Sequence, residues 1–112
     1  MIAAHDMYGG TFRLFSKVYE KMGIKFIYVD TTDANNVAKA ISAATKLIWL
    51  ETPTNPLLNV IDITQVAQLA HERGAILCVD NTFATPYLQS PLTLGADVVS
   101  HSMTKYLGGH SD

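Results

Sequence analysis

Cysteine and long apolar runs are scarce in this sequence of 112 residues, and neither sign of charge dominates it. Its one cysteine, Cys78, has no partner for an intramolecular disulfide, which favours a reducing compartment and predicts a cytoplasmic protein. Cys78 lies in the apolar stretch AILCVD, where a buried and unreactive thiol is expected. No apolar run approaches the roughly 20 residues that span a bilayer, so we expect no membrane partner.

Charge and histidine content exclude two further classes of partner. The chain has 8 Lys and Arg against 10 Asp and Glu, which leaves a formal net charge of −2 and no basic stripe. We therefore expect no nucleic-acid partner. The four histidines are dispersed without the paired spacing of metal ligands, so no metal site is predicted.

What is present is a chain that is 48% hydrophobic and 16% charged, which is typical of a globular protein with a buried core. Four stretches predict strands: IKFIYVD (24–30), KLIWLE (46–51), AILCVD (75–80) and ADVVSHS (96–102). These strands are apolar throughout, as expected in a parallel sheet that helices cover on both faces. The sequence therefore predicts an α/β fold with a mainly parallel sheet flanked by helices.

The segments between the strands predict helices and loops. Three residues with N-capping side chains each precede an apolar helical pattern: Thr11, Asp33 and Asp62. The segment TPTNPLLN (52–59) contains two prolines and is predicted as a loop. Residues 81–91 are also predicted as a loop, and residues 92–95 as a short helical turn.

Polar side chains follow three of the predicted strands. They are Glu51 and Asn55, then Asp80 and Thr82, and finally Ser102, Thr104 and Lys105. Each has an ordinary alternative explanation, since lysines are common in solvated turns and short polar residues bond nearby backbone. Ligands of open α/β sheets bind beyond the carboxyl ends of the strands, so we expect these residues to lie together.

This combination of residues suits pyridoxal phosphate. A partly desolvated lysine forms a Schiff base with an aldehyde, and Lys105 is the candidate. The cofactor also requires a carboxylate at its ring nitrogen, and Asp80 suits that role.

The remaining polar groups match the rest of the cofactor. Ser102 and Thr104 offer hydroxyl donors for its phosphate. The amide of Asn55 can donate to its ring oxygen O3′, and the ring of Tyr8, in MYGGT, can cover its flat face.

Three longer motifs carry a family resemblance: MYGGTFRLF (7–15), ETPTNPLLNVIDI (51–63) and VDNTFATPYLQSPLTLGADVVSHSMTKYLGGHSD (79–112). Together they resemble the Cys/Met-metabolism family of pyridoxal-phosphate enzymes, which includes cystathionine γ-lyase, γ-synthase and β-lyase, methionine γ-lyase and O-acylhomoserine sulfhydrylases. The resemblance covers essentially the whole chain. It implies the aspartate-aminotransferase-like fold (fold type I).

The resemblance also implies an activity and an assembly. We expect a lyase or transferase of transsulfuration that eliminates or replaces the γ (or β) substituent of cystathionine, O-acylhomoserine or a related small amino acid. The expected assembly is a homotetramer built as a dimer of dimers. The resemblance does not separate the γ-lyase, γ-synthase, β-lyase and sulfhydrylase activities.

By the same resemblance, several residues acquire specific roles. Lys105 would bind the cofactor covalently and shuttle protons. Tyr8 would stack on the ring and act as an acid–base residue near the leaving group, while Thr82 would pack on the opposite ring face. Glu51 occupies a family-typical position, and only a supporting role is assigned to it.

The family features that this sequence lacks predict a fragment. Residues 1–112 would be part of the pyridoxal-phosphate-binding domain, without the N-terminal arm, the phosphate loop upstream of Tyr8 and the C-terminal domain with its substrate-binding arginine. Such a fragment is expected to be inactive alone, because catalysis requires cofactor and substrate to be held rigidly. Gly10 stands where methionine γ-lyases often carry cysteine, which disfavours that member.

Two alternatives belong to other classes of protein. A phosphoacceptor receiver domain also has a strand-terminal aspartate and a later strand-terminal lysine, here Asp80 and Lys105. This sequence lacks its acidic pair, since Asp6 has no neighbouring carboxylate, and it lacks a proline after the lysine; labelling of Asp80 by acetyl phosphate would identify this class. The other alternative is a non-catalytic chain that associates through uncovered apolar faces, which size-exclusion chromatography would detect.

Overall fold

In this computed structural model, which describes residues 1–110, five strands form a single sheet. They are β1 (Ile2–Ala4), β2 (Ile27–Val29), β3 (Leu47–Glu51), β4 (Ile76–Asp80) and β5 (Val98–Ser100). The spatial order is β2-β1-β3-β4-β5, and all four pairings are parallel. The predicted parallel sheet is therefore confirmed, and β1 adds a fifth strand to the four predicted ones. The last two residues of the motif at 79–112 lie outside the described residues.

Four α-helices connect the strands: α1 (Gly9–Leu14), α2 (Ala34–Ala40), α3 (Ile63–Glu72) and α4 (Thr85–Leu88). Two of the predicted caps are confirmed. Asp33 accepts a hydrogen bond from the backbone N–H of Asn35 (2.9 Å), and Asp62 accepts one from that of Gln65 (3.0 Å). Among residues 1–110, no helix has the length and apolar character needed to cross a membrane.

The first helix starts earlier than its sequence predicts. Tyr8, rather than Thr11, is the N-cap residue, and α1 continues into a π-helical segment (Phe15–Tyr19) and a short 3-10 turn. The reason is tertiary, because the backbone N–H of Tyr8 donates to the carboxylate of Glu51 (2.7 Å). Tyr8 and Glu51 are 43 residues apart in the sequence, so no local sequence pattern could predict this hydrogen bond.

Two further boundaries differ from prediction. Residues 81–91 are not wholly a loop, since they contain α4. Strand β5 ends at Ser100 rather than at residue 102. There the ladder stops because the backbone N–H of Ser102 donates to the side-chain oxygen of Thr82 (2.8 Å) instead of a strand carbonyl.

Both faces of the sheet are covered. On one face, Ile48, Leu50, Leu77 and Val79 are fully buried in a cluster that includes residues of α2 and α3. On the other face, the ring of Phe15 lies 5.5 Å from that of Trp49, measured between centroids. Since side chains alternate along a strand, Glu51 shares the face of Trp49, on which the chain after β1 packs.

Candidate functional site

A cleft opens at the carboxyl edge of the sheet, where the chain leaves β1, β3, β4 and β5. It is lined by Tyr8, Glu51, Asn55, Asp80, Thr82, Phe83, Ser102, Thr104 and Lys105. All eight residues that the sequence singles out for the site thus lie together, and Phe83 is added to them. The cleft measures about 90 Å³, which is small beside the several hundred Å³ of typical small-molecule sites.

Sheet topology explains this location. The chain passes from β1 to β2 on one side of β1, whereas β3, β4 and β5 lie on the other side. In open α/β sheets, the crevice at such a reversal is the usual ligand site. Tyr8 follows β1 and Asn55 follows β3, so the two residues lie on either side of this crevice.

Asp80 is held rigidly at the end of β4. Its Oδ1 accepts hydrogen bonds from the backbone N–H of Thr82 (3.0 Å) and from the Thr82 hydroxyl (2.5 Å). Both bonds use Oδ1, so Oδ2 stays available to a ligand. The Thr82 hydroxyl in turn accepts the backbone N–H of Ser102, which links the ends of β4 and β5.

The segment after β5 forms a tight turn around Lys105. The hydroxyls of Ser102 and Thr104 lie 2.9 Å apart, and the backbone N–H of Lys105 donates to the carbonyl of Ser102 (3.2 Å). The N–H of Gly108 donates to the carbonyl of Met103 (2.9 Å). Lys105 itself is exposed among the described residues.

Glu51 is the buried carboxyl of the cleft, with 5% of its surface exposed. Burial raises the pKa of Glu51 to about 7, and the negative charges of Asp80 and Asp6 add to the increase. The backbone N–H groups of Tyr8 and Asn55 oppose the increase by favouring the ionised form. Glu51 therefore changes charge near neutral pH.

A polar cluster that the sequence interpretation missed fixes the loop after β3. The carboxylate of Asp6 accepts hydrogen bonds from the hydroxyl of Thr54 and from the side-chain amide of Asn59 (3.1 Å). The hydroxyl of Thr54 also accepts the backbone N–H of Asn59 (2.9 Å). These bonds hold the loop that carries Asn55, and their partners are too far apart in sequence for a local signal.

A second missed pair joins the loops after β3 and β4. Asn81 is fully buried, and its amide exchanges hydrogen bonds with Gln89, at 2.9 Å to the Gln89 carbonyl and 2.7 Å from the Gln89 side chain. Gln89 also donates to the carbonyl of Thr52 (3.0 Å). Buried amides that are satisfied in this way keep both loops in one arrangement.

The donor set of the cleft fits pyridoxal phosphate chemically. The cleft brings together a carboxylate, a primary amide, paired hydroxyls, an aromatic ring and a primary amine. A phosphate needs donors such as the hydroxyls, a pyridine nitrogen needs the carboxylate, and an aldehyde needs the amine.

An open parallel sheet with a cleft of polar side chains at its carboxyl edge is typical of an α/β enzyme domain. The family model for the Cys/Met metabolism PLP-dependent enzymes matches residues 1–112, and the chain belongs to that family. The predicted family and its cofactor are thereby confirmed, and the receiver-domain alternative is excluded.

Relatives with different named activities are almost equally similar in sequence to this chain. The chain is 55% identical to cystathionine gamma-lyase of Bacillus subtilis and 54% identical to cystathionine gamma-synthase of Mycobacterium bovis, over all of its 112 residues. It spans 30% and 29% of the length of these two relatives. The crystal structure of metB from Corynebacterium glutamicum superposes with a TM-score of 0.96 at 54% identity, covering 99% of this chain and 29% of that one. Fold type I is therefore confirmed as well.

Proposed function

We propose that this chain forms the cofactor-binding core of a pyridoxal-phosphate-dependent lyase or transferase of transsulfuration. The reaction would be elimination or replacement at the γ (or β) carbon of cystathionine, O-acylhomoserine or a related amino acid. One observation supports this most directly: the lysine, carboxylate, amide, hydroxyls and aromatic ring required by the cofactor line one cleft.

Two residues, Lys105 and Asp80, would act directly on the cofactor. When it is bound, pyridoxal phosphate supplies an electron sink. Lys105 would hold the aldehyde through Nζ and carry the proton removed from the substrate Cα. Asp80 would keep the pyridine nitrogen protonated through its free carboxylate oxygen, with Oδ1 already engaged by Thr82.

The other cleft residues would bind and orient. Ser102 and Thr104, whose hydroxyls are 2.9 Å apart, would donate to the phosphate. The amide of Asn55 would donate to the ring oxygen O3′. Tyr8 and Thr82 would pack on opposite ring faces, and the Tyr8 hydroxyl would exchange a proton near the leaving group.

The chain is also proposed to act as one part of a larger protein. We place residues 1–112 in the cofactor-binding domain of a cytoplasmic homotetramer, with the N-terminal arm and the C-terminal domain contributed by other parts of the protein. The small cleft supports this, as do exposed apolar side chains, since Leu57, Tyr87 and Tyr106 are 65%, 93% and 69% exposed.

The full-length protein provides the test of this function. Purified with pyridoxal phosphate, it should show a visible absorption band, and borohydride reduction should attach the cofactor to Lys105, as peptide mapping would show. Steady-state assays with cystathionine, O-acylhomoserine and methionine would then identify the reaction. Absence of the band, or attachment to another lysine, would contradict the proposal.

A separate prediction concerns the turn after Lys105. A Cβ added at Gly108 would lie 2.2 Å from the backbone carbonyl oxygen of Met103, so Gly108→Ala must open the turn. A displacement of about 1 Å at Lys105 is expected to lower activity roughly 10²-fold. Gly9→Ala is the matched control, because its Cβ would meet only the end of the Arg13 side chain, at 3.5 Å. Comparable kcat/KM values for Gly108→Ala and wild type would contradict the prediction.

A further inference from the structure

Glu51 lines the cleft, and its carboxylate is engaged by the backbone of another residue. Its carboxylate accepts the N–H of Tyr8 at 2.7 Å, and Tyr8 is the N-cap residue of α1. Glu51 is also the last residue of β3, in register with Asp80 on β4. The buried carboxylate of Glu51 therefore links the backbone of Tyr8 to β3, the strand that pairs with the strand of Asp80.

The ring of Tyr8 is confined from a second side by Gly10. A Cβ at residue 10 would lie 2.4 Å from Cε1 of the Tyr8 ring, which places the ring over the bare backbone of that glycine. The Glu51 carboxylate sets where the Tyr8 backbone lies, and Gly10 leaves space for the ring. The position of the ring thus follows from these two constraints together.

We infer that Glu51 is a positioning residue for the proposed cofactor site: its buried carboxylate anchors the Tyr8 backbone and so helps to place the Tyr8 ring. This inference rests on the proposed function, because the ligand that Tyr8 would cover is the cofactor. The role of Glu51 is that of a hydrogen-bond acceptor for the protein and not of a group that touches substrate.

The charges around Glu51 give this role a pH signature. Asp80 faces it from β4 and Asp6 from the loop after β1, while the N–H groups of Tyr8 and Asn55 provide the opposing interactions. Burial raises the pKa of Glu51 from 4.5 to about 7 in the folded chain. The folded protein then binds more protons than the unfolded one between these values, so the Glu51 contribution makes stability fall as pH rises through that window.

Two substitutions distinguish the role of Glu51 as a hydrogen-bond acceptor from the role of its negative charge. Glu51→Gln keeps a side-chain oxygen that accepts the Tyr8 N–H but cannot ionise, whereas Glu51→Ala removes the acceptor. Glu72→Gln, at an exposed position in α3, is the control for loss of a carboxylate elsewhere. All variants are made in the full-length protein.

Three measurements decide between the outcomes. They are the Kd for pyridoxal phosphate, the visible circular dichroism of the bound cofactor, and the melting temperature of the cofactor-free protein from pH 5 to 8. Glu51→Ala should weaken binding roughly tenfold and diminish the dichroic band, because the buried acceptor of the Tyr8 N–H is lost. Glu51→Gln should restore both within about threefold, yet flatten the pH dependence of the melting temperature.

Other results would overturn the inference. Unchanged binding and dichroism in Glu51→Ala would remove the anchoring role, and a Glu51→Gln variant as impaired as Glu51→Ala would remove the acceptor role. An unflattened pH profile in Glu51→Gln would show that Glu51 is not a buried carboxylate that titrates in this window, which contradicts the inference even if the alanine variant fails to fold. Failure of the wild-type protein to bind pyridoxal phosphate would instead contradict the proposed function, and the cofactor-free pH profile would still test Glu51.

Discussion

Replacing Lys105 with arginine in the full-length protein is expected to abolish borohydride-dependent attachment of the cofactor and to reduce kcat by roughly 10³-fold or more. Arginine keeps the positive charge and the length of the side chain, but its guanidinium does not deprotonate and cannot serve as the nucleophile. The turn that carries Lys105 relies on its backbone, through the bonds to Ser102 and Gly109, so the substitution should leave that turn in place.

The matched control is Lys39→Arg, on the exposed side of α2. This variant should retain both cofactor attachment and activity within about twofold, as expected for a surface substitution. Mass spectrometry after borohydride reduction separates attachment from affinity, because a non-covalently bound cofactor is lost on denaturation. Covalent attachment in the Lys105→Arg variant would show that another amine performs this role.

Replacing Asp80 with asparagine should lower kcat/KM by roughly 10²-fold or more, while the fold is retained. Asparagine still offers an oxygen to the N–H and hydroxyl of Thr82, which donate the side-chain hydrogen bonds that Asp80 accepts. What it loses is the negative charge that would keep the pyridine nitrogen protonated. The measurement is steady-state kinetics together with the pH dependence of the visible cofactor band.

The chain contains an unusually close control for this change. Asp30, which follows β2, accepts hydrogen bonds from the backbone N–H (3.0 Å) and the hydroxyl (2.6 Å) of Thr32, in the same pattern as Asp80 and Thr82. Asp30→Asn alters an equivalent turn outside the cleft, so its activity should stay near wild type. Equal losses in the two variants would mean that turn geometry, rather than charge at Asp80, causes the effect.

The candidate site was predictable because strand ends are visible in the sequence. Apolar runs that stop at Glu51 and Asp80 mark the carboxyl ends of two strands, and β-α-β order makes those strands parallel. Residues that follow parallel strands are then expected at one edge of the sheet, and the structure places them in one cleft. Tyr8 did not follow from the strand-end argument, since the three-residue strand before it carries little pattern of its own; it was proposed from the cofactor's need for an aromatic cover, and the family resemblance supports it.

The start of α1 and the presence of α4 were not predictable in the same way. Local preference favours Thr11 as a cap, but the buried carboxylate of Glu51 fixes the backbone at Tyr8 instead. In residues 81–91, an exchange of hydrogen bonds between Asn81 and Gln89 holds the chain in a compact form that contains a helical turn. Long-range hydrogen bonds of this kind override weak local propensities.

By itself, the sequence determined the α/β class, the parallel sheet and the set of residues at its carboxyl edge. It did so because apolar patterning and chain order constrain which strands can be neighbours and which ends they share. Only the tertiary structure decided how those residues are held. Burial beside Asp80 raises the pKa of Glu51 to about 7, and the hydrogen bond from the Tyr8 N–H to Glu51 fixes the position of the Tyr8 backbone. The sequence could show neither effect, because both depend on distances between segments that are far apart in the chain.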